Sequence, residues 1–142
     1  MTETELPDVN VLVALLNPSH VAHAVVWEWF SSATSFATTP ITETGLLRLA
    51  LNPKVMGSQL ALSDALRSLR SLRSDPRAIF VPDDASLAEA TTGLDGLRGH
   101  RQVTDLHLVN LAAKHQMVVV TLDRALARSL PSSAHSLVKL LA

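Results

Sequence analysis

An α/β domain with a mostly parallel sheet and helices on both faces is the fold class this sequence predicts, and three observations lead to it. Short apolar runs that suit strands alternate with longer stretches of helical spacing along the chain. The length, 142 residues, is that of one ordinary domain, enough for one core and too short for two, so a single domain over 1–142 is expected. The third observation is a compact unit at residues 103–123, VTDLHLVNLAAKHQMVVVTLD. A helix over 104–115 advances about 18 Å at 1.5 Å per residue, and a strand over 117–121 returns about 16 Å at 3.3 Å per residue. Asp105 and Asp123 should therefore lie at one pole.

In chain order, the first strand is brief and closes near Leu6, because Pro7 removes a ladder donor. Asp8 follows at once. Residues 9–16 are apolar apart from Asn10 and fit either a buried helix or a continuing strand, ended by Asn17-Pro18. Residues 20–30 carry Val21, Ala24, Val25, Trp27 and Phe30 at helical spacing, with Ser19 as the cap. A second strand at 36–39 meets Pro40, which suits a first helical position; the helix over 40–51 carries Glu43 in its first turn and stops at Asn52-Pro53. The longest helical pattern, 58–74, sets Leu60, Leu62, Ala65, Leu66, Leu69 and Leu72 on one face, with Arg67, Arg70 and Arg73 stepping round it. A third strand at 79–81 is closed by Pro82 and the acidic turn Asp83-Asp84. A helix over 86–97, interrupted by Gly93, leads into a polar loop at 96–102 with Arg98, His100 and Arg101. After the helix capped by Thr104 and its returning strand come a short helix over 124–130 and a last strand over 137–141.

Composition excludes several classes. At 47% hydrophobic and 18% charged residues the chain is far from a disordered composition. No run reaches the roughly 18 apolar residues of a membrane helix, and the acidic start MTETELPDVN does not resemble a signal peptide. Without cysteine there is neither a disulfide framework nor a thiolate metal site, so a cytoplasmic protein is expected. Twelve Lys and Arg against 13 Asp and Glu leave a net charge of -1, so a nucleic-acid substrate would have to be held by a local patch.

Ligands of an open parallel sheet collect at the carboxyl ends of its strands. Asp8, Glu43, Asp105 and Asp123 all belong at that edge. A carboxylate in the first turn of a helix is ordinary, since free N–H groups attract it. Four at one pole repel one another unless something positive lies between them. A hard cation such as Mg²⁺ or Mn²⁺ suits an all-oxygen donor set. Such an ion polarises a phosphodiester and lowers the pKa of a bound water, and the chemistry needs no nucleophilic side chain. Asn10, Thr42, Thr104 and Thr121 are placed to orient the acids or waters, although capping is the role that suits the threonines better. Arg98 and Arg101, just ahead of Asp105, are placed to meet a phosphate backbone. His20 and His23 suit capping and packing better than metal binding, and Asp64, Asp75, Asp83, Asp84, Glu89 and Asp95 fit a solvated surface.

Asp8 in PDVNVLVAL, Glu43 in ITETGLLRLALNP, Asp105 in QVTDLHLVNLAAKH and Asp123 in VVVTLDRAL resemble, in order and spacing, the four acidic motifs of PIN-domain nucleases. The likeness is strongest to the VapC toxins of toxin-antitoxin modules, and it takes in His23, Trp27 and Arg48. It implies a PIN-like three-layer α/β/α domain with a five-stranded parallel sheet and a Mg²⁺- or Mn²⁺-dependent endoribonuclease with Asp8, Asp105 and Asp123 on the metal. It also implies a homodimer and an antitoxin partner that blocks the acidic pocket. Ala125 and Leu126 stand where many relatives carry a further acid, so one metal ion is expected. The rival expectation is a catalytically weak module of the same fold that binds a protein or RNA. A phosphatase of the phosphoaspartyl kind is disfavoured, since Asp8 is followed by Val9 and Asn10 rather than by an Asp-x-Thr sequence.

Overall fold

A computed structural model describes residues 3–90 and 102–141. Five strands, β1 (Thr4–Pro7), β2 (Phe36–Thr38), β3 (Ala78–Phe80), β4 (Met117–Thr121) and β5 (Val138–Leu140), pair in parallel in the order β3-β2-β1-β4-β5. The order reverses direction at β1 and β4, which makes that junction the switch point of the sheet. β1 pairs with β4 along its whole length, from Thr4 opposite Met117 to Pro7 opposite Val120, but meets β2 in register only at Glu5 and Phe36. Pro7 explains the asymmetry. In a parallel ladder alternate residues turn to opposite neighbours; the Asp8 N–H bonds the Val120 carbonyl at 2.9 Å, so the position facing β2 is proline, which has no N–H to give.

Alternation along the strands divides the core into two layers. Leu6, Ala37, Met117 and Val119 point to one face and pack with Leu106, Leu108, Val109 and Ala112 of α6 (Val103–His115) and with Leu130 and Ala134. Phe36 and Val120 point to the other face. There they meet α1 (Val9–Leu16), α2 (His23–Ser32), α3 (Pro40–Ala50) and α5 (Leu62–Arg73) through Leu12, Val26, Trp29, Leu46 and Leu69. Residues 9–16, which sequence left between helix and strand, are helix. Asp8 caps that helix by accepting the Val11 N–H at 2.9 Å. α1 and α3 pack closely because residue 45 is glycine: a Cβ there would lie 2.6 Å from Val9 Cγ2. This contact sets the spacing between the helices that carry Asp8 and Glu43.

Several predicted boundaries move, each for a local reason. α2 begins at His23, not residue 20, and Ser19 does not cap it. Asn17 Oδ1 accepts the Ser19 N–H at 3.2 Å and His20 Nδ1 the Ala22 N–H at 3.0 Å, so side chains hold these residues in a turn and leave Val21 fully exposed. The long pattern at 58–74 begins its helical bonding only at Ala61. Before it lies a separate turn of helix, α4 (Pro53–Met56), closed by Gly57 at φ 76°. Thr104 is not the cap of α6; the helix starts at Val103 after Gln102, and Thr104 is exposed. Of the helix expected over 86–97, a 3₁₀ turn at Leu87–Glu89 is found, and residues 91–101, with Arg98 and Arg101, lie outside the described residues. Gln116 ends α6 in the left-handed region at φ 58°, and the chain enters β4 at the next residue. The last elements are α7 (Arg124–Ser129), a 3₁₀ stretch at Ser132–Leu137, and β5. No helix among the described residues is long and apolar enough to cross a membrane.

Candidate active site

Three of the four predicted acids come together at the carboxyl end of β1 and β4. Asp8, 2% exposed, uses both oxygens: Oδ1 accepts the Val11 N–H, and Oδ2 accepts the Thr121 hydroxyl at 2.6 Å. Thr121 Oγ1 in turn accepts the Asp123 N–H at 3.0 Å, so one hydroxyl at the end of β4 ties Asp8 to the turn that carries Asp123. Asp123 caps α7, taking the N–H groups of Ala125 and Leu126 on Oδ1 at 2.9 and 3.3 Å. Asp105 sits in the first turn of α6. The loci of all three are ordinary helix starts, which accounts for each alone and not for their meeting.

Their charges feel one another. Burial first, then the charges of Asp8 and Asp123, push the Asp105 carboxyl up from 3.8 to about 6. Burial also holds Asp8 above the ordinary carboxylate range, reinforced by Asp123 and opposed by the Thr121 hydroxyl and the N–H groups of Val11 and Asn10. No lysine or arginine among the described residues enters either balance. Such a trio attracts a cation.

Glu43 is not among the charges that shift Asp8 or Asp105. Its Oε2 accepts the Thr38 hydroxyl at 2.7 Å and lies 3.5 Å from Arg73 Nε, so its charge is already paired. Sequence spacing carried no signal for either partner: Thr38 ends the preceding strand, and Arg73 comes from the far end of α5. Of the predicted supporting residues, Thr121 lies where expected. Asn10 is exposed and reaches Asp8 through its backbone N–H. Thr42 is fully buried and serves α3, accepting the Thr39 N–H and donating to the Thr39 carbonyl, each at 3.1 Å. Thr104 is exposed.

Other residues prove structural. His23 Nδ1 lies 2.7 Å from the Ala14 carbonyl, and its ring stacks on the half-exposed Trp27, while Trp29 is buried with its indole N–H on Glu5 Oε2 at 2.8 Å. Asp75 is not a free surface acid. It pairs with Arg77 at 2.9 Å and is held down to about 2, and that guanidinium covers the Phe30 ring at 4.3 Å. Asp83 and Asp84 clasp α6 through His107, Lys114 and His115.

The donor set of the trio, carboxylate oxygens without sulfur or imidazole, fits a hard divalent cation. Among the described residues no three Asp, Glu or His side chains stand close enough together to hold one ion as they are. To hold one cation together, the three side chains would have to move closer than they stand.

Comparison with known proteins shows the family. The PIN domain model matches residues 6–129. Ribonuclease VapC39 of Mycobacterium tuberculosis is 43% identical over 129 residues, 89% of this chain and 93% of that protein. Ribonuclease VapC38 of the same organism is 43% identical over 120 residues, covering 83% and 84%, and Ribonuclease VapC29 is 37% identical over 125 residues, covering 87% and 89%. The five-stranded parallel sheet between two helical layers, with acids at the ends of β1 and β4 and at the start of α6, is thus the PIN fold, and the chain belongs to the VapC-type PIN-domain family.

Proposed function

We propose that this protein is a Mg²⁺-dependent endoribonuclease, with Mn²⁺ able to substitute, that hydrolyses RNA phosphodiester bonds as the toxin of a toxin-antitoxin module in the cytoplasm. The observation that carries this reading is the coupled trio of Asp8, Asp105 and Asp123 at the switch point, in a chain whose relatives are named ribonucleases. A bound divalent cation supplies charge for the phosphoryl oxygens and lowers the pKa of a water for attack on phosphorus. The chain supplies the rest. Asp8 is held in one orientation by the Thr121 hydroxyl and the Val11 N–H, which would fix it as a ligand. Asp105 and Asp123 would complete the ligand set. Glu43, outside the trio, is assigned to orienting the attacking water, with Thr38 fixing its carboxylate. The reading includes a homodimer and a cognate antitoxin that occupies the acidic pole, where an arginine would find the charge that the trio lacks.

Purified protein with Mg²⁺ or Mn²⁺ is expected to cut RNA internally, and Asp8→Asn or Asp105→Asn to abolish cleavage while leaving the circular dichroism spectrum intact. Unchanged cleavage in both variants would sink the assignment. One observation favours a second reading, a binding module of the same fold: the trio is not close enough to hold an ion as it stands. RNA or protein binding without cleavage at saturating metal would select that alternative.

A further inference from the structure

Phe80 ends the edge strand β3 and is 45% exposed, an unusual place for a large apolar side chain. Its surroundings give it a use. Phe80 is the register partner of Thr38 on β2, and paired residues of a parallel ladder point to the same face of the sheet. Thr38 is the residue whose hydroxyl holds Glu43. Arg73, from the last turn of α5, joins the two: its Nε lies 3.5 Å from Glu43 Oε2, and its guanidinium carbon lies 4.6 Å from the centre of the Phe80 ring. Phe80, Arg73 and Glu43 therefore follow one another along the carboxyl edge of the sheet. Arg73 is about half exposed, and it meets Glu43 through Nε.

We infer that Phe80 and Arg73 form a subsite for one unpaired nucleotide of the RNA strand beside the acid pole, Phe80 stacking the base and Arg73 meeting a phosphate. The inference rests on the nuclease reading and names how that site holds its substrate. A guanidinium braced on one side by an aromatic ring and on another by a carboxylate is pre-oriented, and the terminal N–H groups of such a fork match phosphate oxygens. An exposed ring offers a stacking face to any base that is not already stacked in a duplex, which selects single-stranded RNA. Charge argues in the same direction. The chain carries a net charge of -1 and gathers acids where the scissile phosphate must sit, so the strand has to be held by cations close by. Arg70, exposed one turn before Arg73, and Arg67 beyond it extend a basic path along α5 away from the pole. Arg67 is partly engaged by Asp64 at 3.7 Å.

The test is steady-state cleavage of a short single-stranded RNA by the full chain and by variants at both positions, with thermal melts to confirm folding. Phe80→Leu keeps an apolar side chain and is expected to raise KM about tenfold, with kcat within about twofold, the size of one lost base stack. Phe80→Trp is expected to keep the wild-type KM, and its added indole fluorescence to be quenched by uncut RNA when metal is chelated. A merely structural ring would not give that quenching. Arg73→Gln should also raise KM, and Arg73→Lys should recover part of the loss by keeping the charge without the planar fork. If Phe80→Leu and Arg73→Gln cut RNA with wild-type KM, the subsite is wrong while the nuclease reading stands. A Phe80→Leu protein that keeps its KM but changes from dimer to monomer would make the patch an interface between copies. Wild-type protein that cuts no RNA with either metal would remove the nuclease reading, and the subsite with it.

Discussion

Asp105 and Asp8 carry opposite sides of the site's design, one unsettled by its neighbours and the other fixed by them. Asp105 has its carboxyl pushed to about 6 by burial and by two nearby negative charges. An acid whose folded pKa exceeds its unfolded value binds its proton more tightly in the folded state. Its charged form thus weakens folding above about pH 6, and the penalty fades as the pH falls towards the unfolded value near 4. Allowing for partial exposure, the cost in cation-free protein at pH 7 is about 1–2 kcal/mol. Asp105→Asn should accordingly raise the melting temperature in chelator at pH 7 by a few degrees, with the gain shrinking towards pH 4; a lower melting temperature at pH 7 contradicts this account. At Asp8 the relevant partner is Thr121. Thr121→Val removes the hydroxyl that both donates to Asp8 and accepts from the Asp123 N–H, and a roughly 10- to 100-fold loss of RNA cleavage is expected. Thr121→Ser, which restores the hydroxyl, should recover most of it. That Asp8, Asp105 and Asp123 share one pole was legible in the sequence because strand ends and helix starts can be read locally. The division of labour was not: Thr38 and Arg73 reach Glu43 through tertiary packing, and Asn10 acts through its main chain, which no side-chain pattern reports.

At the scale of elements, the α6–β4 unit shows what periodicity can and cannot give. A helix followed by a strand of matching length does return to its starting pole, as the spacing of 103–123 predicts. The reversal itself depends on Gln116 in the left-handed region, a conformation that costs a side-chain-bearing residue roughly 1 kcal/mol and a β-branched one more. Gln116→Gly should be neutral or stabilising by up to about 1 kcal/mol, and Gln116→Val destabilising by about 1–2 kcal/mol, both measurable by denaturant melts. Equal stabilities for the two would show that the turn does not constrain the unit. The element starts that sequence misplaced share a cause. At 17–22 the side chains of Asn17 and His20 take backbone N–H groups and delay α2. At 57–61 a left-handed glycine separates two helices that the apolar spacing runs together. Hydrophobic periodicity marks which face is buried, and it is blind to local bonds that decide where a helix begins.

For the whole molecule, strand order matters more than any one element. β1 and β4 adjoin although more than a hundred residues separate them, and the chain leaves their carboxyl ends into α1 and α7 with an aspartate as each cap. Only this order places Asp8 beside Asp123; alternation of strands and helices predicted the layers, whereas neither composition nor spacing specifies which strands adjoin. The proposal that rests on this order is that the three aspartates act together on one divalent cation. Calorimetric titration of Mn²⁺ into the wild-type chain and into Asp105→Asn at pH 7.5, repeated for the wild type at pH 5, tests it most directly. The account predicts one site per chain, loss of binding in the variant, and weaker binding at pH 5, where the cation must displace the proton that Asp105 holds up to about pH 6. Binding of equal affinity in Asp105→Asn, or affinity indifferent to that change in pH, would contradict it.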